Sequence, residues 1–301
     1  MGKIPLQCSS GSFGQAELVG PEITDEWNLK IGNLAATEVN SSQQYYALIF
    51  QAARDYYYGD RFGLHIPPEN GVLKPQIKIA AKLEDGISRA NVAYRYGELA
   101  ALPVGGIISA VTLGLVLDQL PSINFTEYGR NSDRVYAVTA HELAHWAHWN
   151  MDKSAFIQLG VDAYNLGYLL GVHNQAEAVI ESWAMGVEWR FAMARYRDKF
   201  GDTVYEYEDV QDNPNFQRQT IEEFPAYTSI VVDMIDDHNQ IIEETAGWDG
   251  ILPNDRVSGY SILEVQQGLQ GTRSWHEWRD NMKNITNPTS GNIDELFGNW
   301  Y

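Results

Sequence analysis

Apolar and polar positions alternate in two different rhythms along this chain. The first rhythm is helical. Residues 41–63, "SSQQYYALIFQAARDYYYGDRFG", carry apolar positions three and four apart, which predicts a helix capped by Asn40 or Ser41 and ended by Gly59. A break follows in "LHIPPENG", 64–71, whose Pro-Pro and Asn-Gly pairs favour turns. The second rhythm has a period of two. "PQIKIAAKL", 75–83, places Ile77, Ile79 and Ala81 on one side and reads as a strand. "NVAYRYGEL", 91–99, predicts another strand, and "GGIISAVTLGLVLD", 105–118, a buried strand or strand pair.

From residue 132 onward the helical rhythm takes over. "SDRVYAVTAHELAHWAHWN", 132–150, predicts a helix with Ser132 or Asp133 as cap. A second long helix is expected over 174–201, ending at Gly201. Shorter helices are expected over 227–244, 261–270 and 274–284. Residues 1–36 carry little periodicity and read as an irregular lead-in. The expected organisation is therefore α+β: one domain over 37–301, with a sheet-containing lobe to about 150 and a mainly helical lobe from 151. No internal repeat or low-complexity linker interrupts it.

Composition narrows the class. With 301 residues and 44% hydrophobic content, the chain can bury a sizeable core. Its net charge of −19 disfavours nucleic acid and anionic membranes as partners. The single cysteine, Cys8, excludes a disulfide within the chain and a cysteine-based zinc site. No apolar signal core precedes Cys8, so no secretory signal is read in this sequence. An extracytoplasmic location (secreted, periplasmic or cell-surface) is expected, with a lipid anchor or further N-terminal domain outside this sequence as candidates. Cys8 itself reads as an incidental leader residue rather than a lipid-attachment relic. The apolar run 102–117 is too short and glycine-rich to cross a bilayer, so no transmembrane segment is expected.

Candidate chemistry sits in "HELAHWAH", 141–148. On a helix, His141 and His145 lie one turn apart on a shared face and can bind one tetrahedral ion, most commonly zinc. Glu142, beside the first ligand but off the metal line, suits a general base. Tyr136, Ala140, Leu143 and Ala147 form an apolar stripe on the opposite side. His148 is two turns from His141, too far to share the ion, and reads as a residue behind the ligands or at the surface.

A catalytic zinc needs a third protein ligand and an open position. The 174–201 helix offers Glu177, Glu181 and Glu188. Glu177 stands three residues after Asn174, a capping-box spacing that gives it a structural role. Glu181 is the expected third ligand and Glu177 the alternative. Glu188 can accept from a ligand imidazole or pair with Arg190.

The pair "HELAH" and "ESWAMGVEW" resembles the gluzincins, HExxH zinc peptidases whose third ligand is a glutamate on a downstream helix. The stretches "AARDYYYGDRFGLHIPP", "DRVYAVTAHELAHWAHW", "VIESWAMGVEW" and "YTSIVVDMIDDHNQ" further resemble a group of uncharacterised bacterial zinc metallopeptidases, generally secreted or at the cell surface. That resemblance implies a zincin-like fold: a small, twisted, mostly antiparallel sheet packed on the active-site helix, with a helical C-terminal lobe. It also implies a zinc-dependent metallopeptidase with a peptide or protein substrate. The gap from His145 to Glu181 exceeds that of the thermolysin-like pattern. Tyr227, His238 and Tyr260 are candidates for stabilising the oxyanion, each with an alternative as a packed aromatic or surface polar group. Two rival readings stand beside it: a glycoprotein-directed peptidase that uses some of the nine tryptophans, and a binding module with zinc as a structural pin.

Overall fold

The structure is a computed structural model. It describes residues 8–10, 14–16, 41–59, 62–68, 77–90, 122–163, 175–199, 226–239 and 252–301. The strands expected over 91–99 and 105–118 lie outside these residues, as do Asn174 and Gly201.

Two short strands, β1 (Cys8–Ser10) and β2 (Gly14–Ala16), pair antiparallel within the lead-in expected to be irregular. Nothing apolar alternates there, so the periodicity could not announce them. Helix α1 (Ser42–Tyr58) begins where its cap was expected, with Ser41 Oγ accepting from Gln44 N–H. It buries Tyr45, Ile49, Ala52 and Tyr56 along one face. Gly59 closes it by donating its N–H to the Asp55 carbonyl.

Strands β3 (Ile79–Ala81), β4 (Arg89–Ala90) and β5 (Ile123–Phe125) form a three-stranded sheet in the order β3-β5-β4. Ile79 and Ala81 are buried, as their alternation predicts. Among the described residues this sheet has one parallel and one antiparallel pairing, where a mostly antiparallel sheet was expected. β3 runs parallel to β5, and β4 antiparallel to it. Period-two patterning marks a buried face but carries no information on strand direction, which the connections set.

Helix α2 (Ser132–Met151) is buried on nearly every side. Its cap is Asn131, not Ser132 or Asp133, and it makes no side-chain capping bond. Ser132 is instead hydrogen-bonded with Tyr196, which removes it from the capping role. Trp146 ties α2 to the sheet by donating its indole N–H to the Ser122 carbonyl at 3.2 Å. A further helix, α3 (Lys153–Asp162), capped by Asp152, occupies ground the pattern did not assign.

Helix α4 (Gln175–Ala192) passes into a π-helix, Met193–Lys199. It packs on α2 and, through Gly186, tightly against α5 (Ile230–Ile235). α5 starts later than the expected 227–244 and stops at Ile235, with 236–239 non-helical; 240–244 lie outside the described residues. Its last carbonyls, Met234 and Ile235, accept from Tyr260 and Gly259 N–H. Asp236 Oδ1 takes the His238 N–H. These bonds replace the next helical turn. Helices α6 (Ile262–Leu269) and α7 (Trp275–Lys283) follow expectation. A 3₁₀ turn, Ser290–Asn292, and helix α8 (Ile293–Gly298) complete the chain. Trp275, Trp278 and Phe297 stack edge-on or tilted within this last cluster. Six tryptophans, Trp146, Trp149, Trp183, Trp189, Trp275 and Trp278, are buried core residues. No helix among the described residues is long and apolar enough to cross a membrane.

Candidate metal centre

The chemistry collects where α2 and α4 cross. His141 approaches Glu188, and His145 approaches Glu181, so the two helices run antiparallel with those faces in register. Three ligand-type atoms converge. His145 Nε2 lies 3.1 Å from His141 Nε2. Glu181 Oε2 lies 3.3 Å from His141 Nε2 and 3.4 Å from His145 Nε2. These three residues are the one grouping of potential metal ligands among the described residues.

The triangle can be tested against an ion. Zinc–ligand bonds of about 2.0–2.1 Å at tetrahedral angles place neighbouring ligand atoms about 3.3–3.4 Å apart. The three observed sides fall at or near that spacing. Hydrogen bonds account for the triangle less well. Each imidazole nitrogen carries one proton or one lone pair, so three mutual contacts cannot all be donor–acceptor pairs of good geometry. The donor set of two imidazoles and a carboxylate is one that zinc accepts. The residues therefore fit the ion.

The surroundings shape the charges. Burial opposes the charged form of His141, but Glu188 and Glu181 outweigh it and hold its pKa well above the usual histidine value. Burial pushes Glu181 up, but His145 and His141 outweigh it and hold the carboxyl well below its usual range. Glu188 Oε2 lies 2.9 Å from His141 Nδ1, an ion-pair contact in which the ring N–H does not point straight at the oxygen. Arg190 pairs with Asp198 at 3.0 Å. Glu188 therefore faces the histidine rather than Arg190.

Glu142 is buried beside the cluster. Burial is the main cause that raises its carboxyl to about 7; His141 and His145 pull it down, and Glu181 and Glu188 push it up. Its Oε2 has no hydrogen-bond partner among the described residues. Tyr227, which the expected helix would have included, lies just before α5 in irregular chain. Its ring stacks over His141 at 6.0 Å and 25°. Its hydroxyl is hydrogen-bonded with Glu181, and burial first, then Glu181, raises its pKa well above the usual tyrosine value.

Other candidates stand elsewhere. Glu177 is outside the triangle and close enough to Tyr301 to raise its pKa, after burial. His238 donates its backbone N–H to Asp236, and its charge is not among the main influences on Glu142 or Tyr227. Tyr260 is buried, and the charge that raises its pKa, after burial, is Glu264. His148 is buried edge-on to Phe156 at 4.8 Å. Burial, then His145, lowers its pKa to about 3, so it stays neutral.

Comparison of the chain with protein-family models, with curated proteins and with solved structures finds no match in any of the three.

Proposed function

We propose that the protein is a zinc-dependent metallopeptidase of zincin type, gluzincin-like, that hydrolyses peptide bonds. The observation that supports this reading is the triangle of His141 Nε2, His145 Nε2 and Glu181 Oε2, with sides of 3.1, 3.3 and 3.4 Å. Zinc bound there supplies Lewis acidity, lowering the pKa of a water and polarising a carbonyl oxygen.

The chain's own groups supply the rest. Glu142, ionised, takes a proton from the attacking water as that oxygen bonds to the scissile carbonyl carbon. It returns the proton to the leaving amine when the C–N bond breaks. Water and an amide are thereby converted to an acid and an amine. Tyr227 remains protonated beside His141; its single O–H, donated to Glu181 in this structure, would turn to the carbonyl oxygen to meet the charge developing there. Glu188 orients the His141 ring from its far nitrogen. The acidic surface and the likeness to secreted peptidases favour a peptide or protein substrate outside the cytoplasm.

Substituting Glu142→Gln tests the reading. Zinc content, measured by elemental analysis, should be retained, and peptide cleavage should fall by about 10²–10⁴-fold. A wild-type protein that binds zinc yet cleaves nothing across a broad peptide library would instead mark the ion as a structural pin.

A further inference from the structure

Away from the metal triangle, a cavity of about 290 Å³ opens beside the C-terminal half of α4. Trp189, Ile235, Ile262, Leu263 and Phe62 line it, with Arg190 and Ser261 as its polar members. Its volume is at the small end of the roughly 300–1,000 Å³ typical of ligand sites, which suits a compact ligand.

Of its two polar wall members, Arg190 brings only donors, while the Ser261 hydroxyl is engaged with Glu264. The Arg190 guanidinium lies over the Phe62 ring at 4.5 Å. It gives one nitrogen to Asp198 at 3.0 Å, and a guanidinium carries further N–H groups. That pair is partly exposed, so it holds the arginine only weakly. Ser261 caps α6, and the capping box with Glu264 occupies the N–H groups of Ser261 and Glu264. The N–H groups of Ile262 and Leu263, at the first positions of this helix, are left without an intrahelical acceptor. Trp189 is 6% exposed and contributes its ring to the wall. Ile235, Leu263 and the two aromatic rings supply the apolar surface. An apolar floor with donors and a cation around it is complementary to a carboxylate on an apolar body.

We propose that this cavity binds a small free carboxylic acid with an apolar body. The body lies among Trp189, Ile235 and Leu263, and the carboxylate faces Arg190 and the start of α6. The inference does not depend on the peptidase reading, because none of these residues belongs to the metal triangle.

The test titrates N-acetyl-L-leucine into the full chain, with N-acetyl-L-leucinamide as the uncharged control, followed by calorimetry. The series is run with zinc, without zinc and on Glu181→Ala, because a carboxylate can also bind a metal centre. Saturable binding of the acid, at least about tenfold tighter than the amide and unchanged by zinc removal or by Glu181→Ala, is expected. Arg190→Gln should lower the acid's affinity to that of the amide. Leu263→Trp, which fills the cavity at a half-buried position, should abolish binding of both, with the fold monitored by circular dichroism. No saturation, equal affinity for acid and amide, or loss of binding on Glu181→Ala alone would overturn the proposal.

Discussion

At the residue scale, the proposed metal centre would depend on which groups face the far side of each candidate ligand. Glu188 sits 2.9 Å from His141 Nδ1, the nitrogen turned away from the triangle. A carboxylate there holds the ring's orientation and raises its basicity. Glu188→Gln should weaken zinc affinity about 10–100-fold, measured by competition with a chelator. It should also lower the thermal stability of the zinc-free protein near neutral pH, because buried His141 loses the carboxylate that favours its charged form. A second residue-scale effect lies in Asp255. Burial, with Asp233 close by, raises its carboxyl to about 9, while the Val257 N–H opposes the shift. The folded state thus binds a proton that the unfolded chain releases near pH 4. Stability should be fully present below that point and decline as pH rises toward about 9. Asp255→Asn keeps the uncharged form at every pH. Its urea midpoint should therefore fall less steeply between about pH 5 and pH 9 than that of the wild type.

At the element scale, the site is made by helix crossings rather than by any one helix. Residue spacing places Glu177, Glu181 and Glu188 on a single helix, with Glu181 the expected ligand and Glu177 its alternative. Antiparallel packing of α2 on α4 turns Glu181 and Glu188 toward the histidines and leaves Glu177 near Tyr301. The contact of α4 with α5 is equally tight. A Cβ at Gly186 would lie 2.2 Å from Val231 Cγ1 and 2.4 Å from Val231 Cβ. Gly186→Ala should cost about 1–3 kcal/mol in urea unfolding, because α5 must move or Val231 must distort. Val231→Ala in the same chain should recover part of that loss, so the double-mutant cycle should show coupling between the two sites. α5 starts only at Ile230, and the Thr228 N–H just after Tyr227 is donated to Ser182 Oγ of α4, so Tyr227 is not helical. Capping by Gly259 and Tyr260 from a distant segment ends the helix at Ile235, and an isolated sequence window contains no sign of that segment.

At the scale of the whole molecule, an ion held by the proposed triangle would join α2 to α4, two of the most buried helices. Zinc at about a hundred times its Kd should stabilise the folded state by about 2.7 kcal/mol, seen as a rise of several degrees in Tm. Glu181→Ala should lose most of that rise, and a chelator should reverse it in the wild type. The core that receives this constraint also includes the sheet, through the Trp146 bond to Ser122 and the hydroxyl of Tyr45, which donates to the Phe125 carbonyl and accepts from Glu127 N–H.

The amino-acid pattern by itself determined the local elements. α1 starts at Ser41 and closes at Gly59, α6 and α7 lie where their periodicity puts them, and β3 buries Ile79 and Ala81. It also determined that His141 and His145 share a face, because one helical turn separates them. These features depend on caps, period and short-range sterics, all written within a few residues. Tertiary structure alone decided the direction of β3 against β5, the short length of α5, the convergence of Glu181 with the histidines and the placement of Tyr227 over His141. Each of these depends on contacts between residues far apart in the chain, where no local free-energy preference distinguishes one arrangement from another.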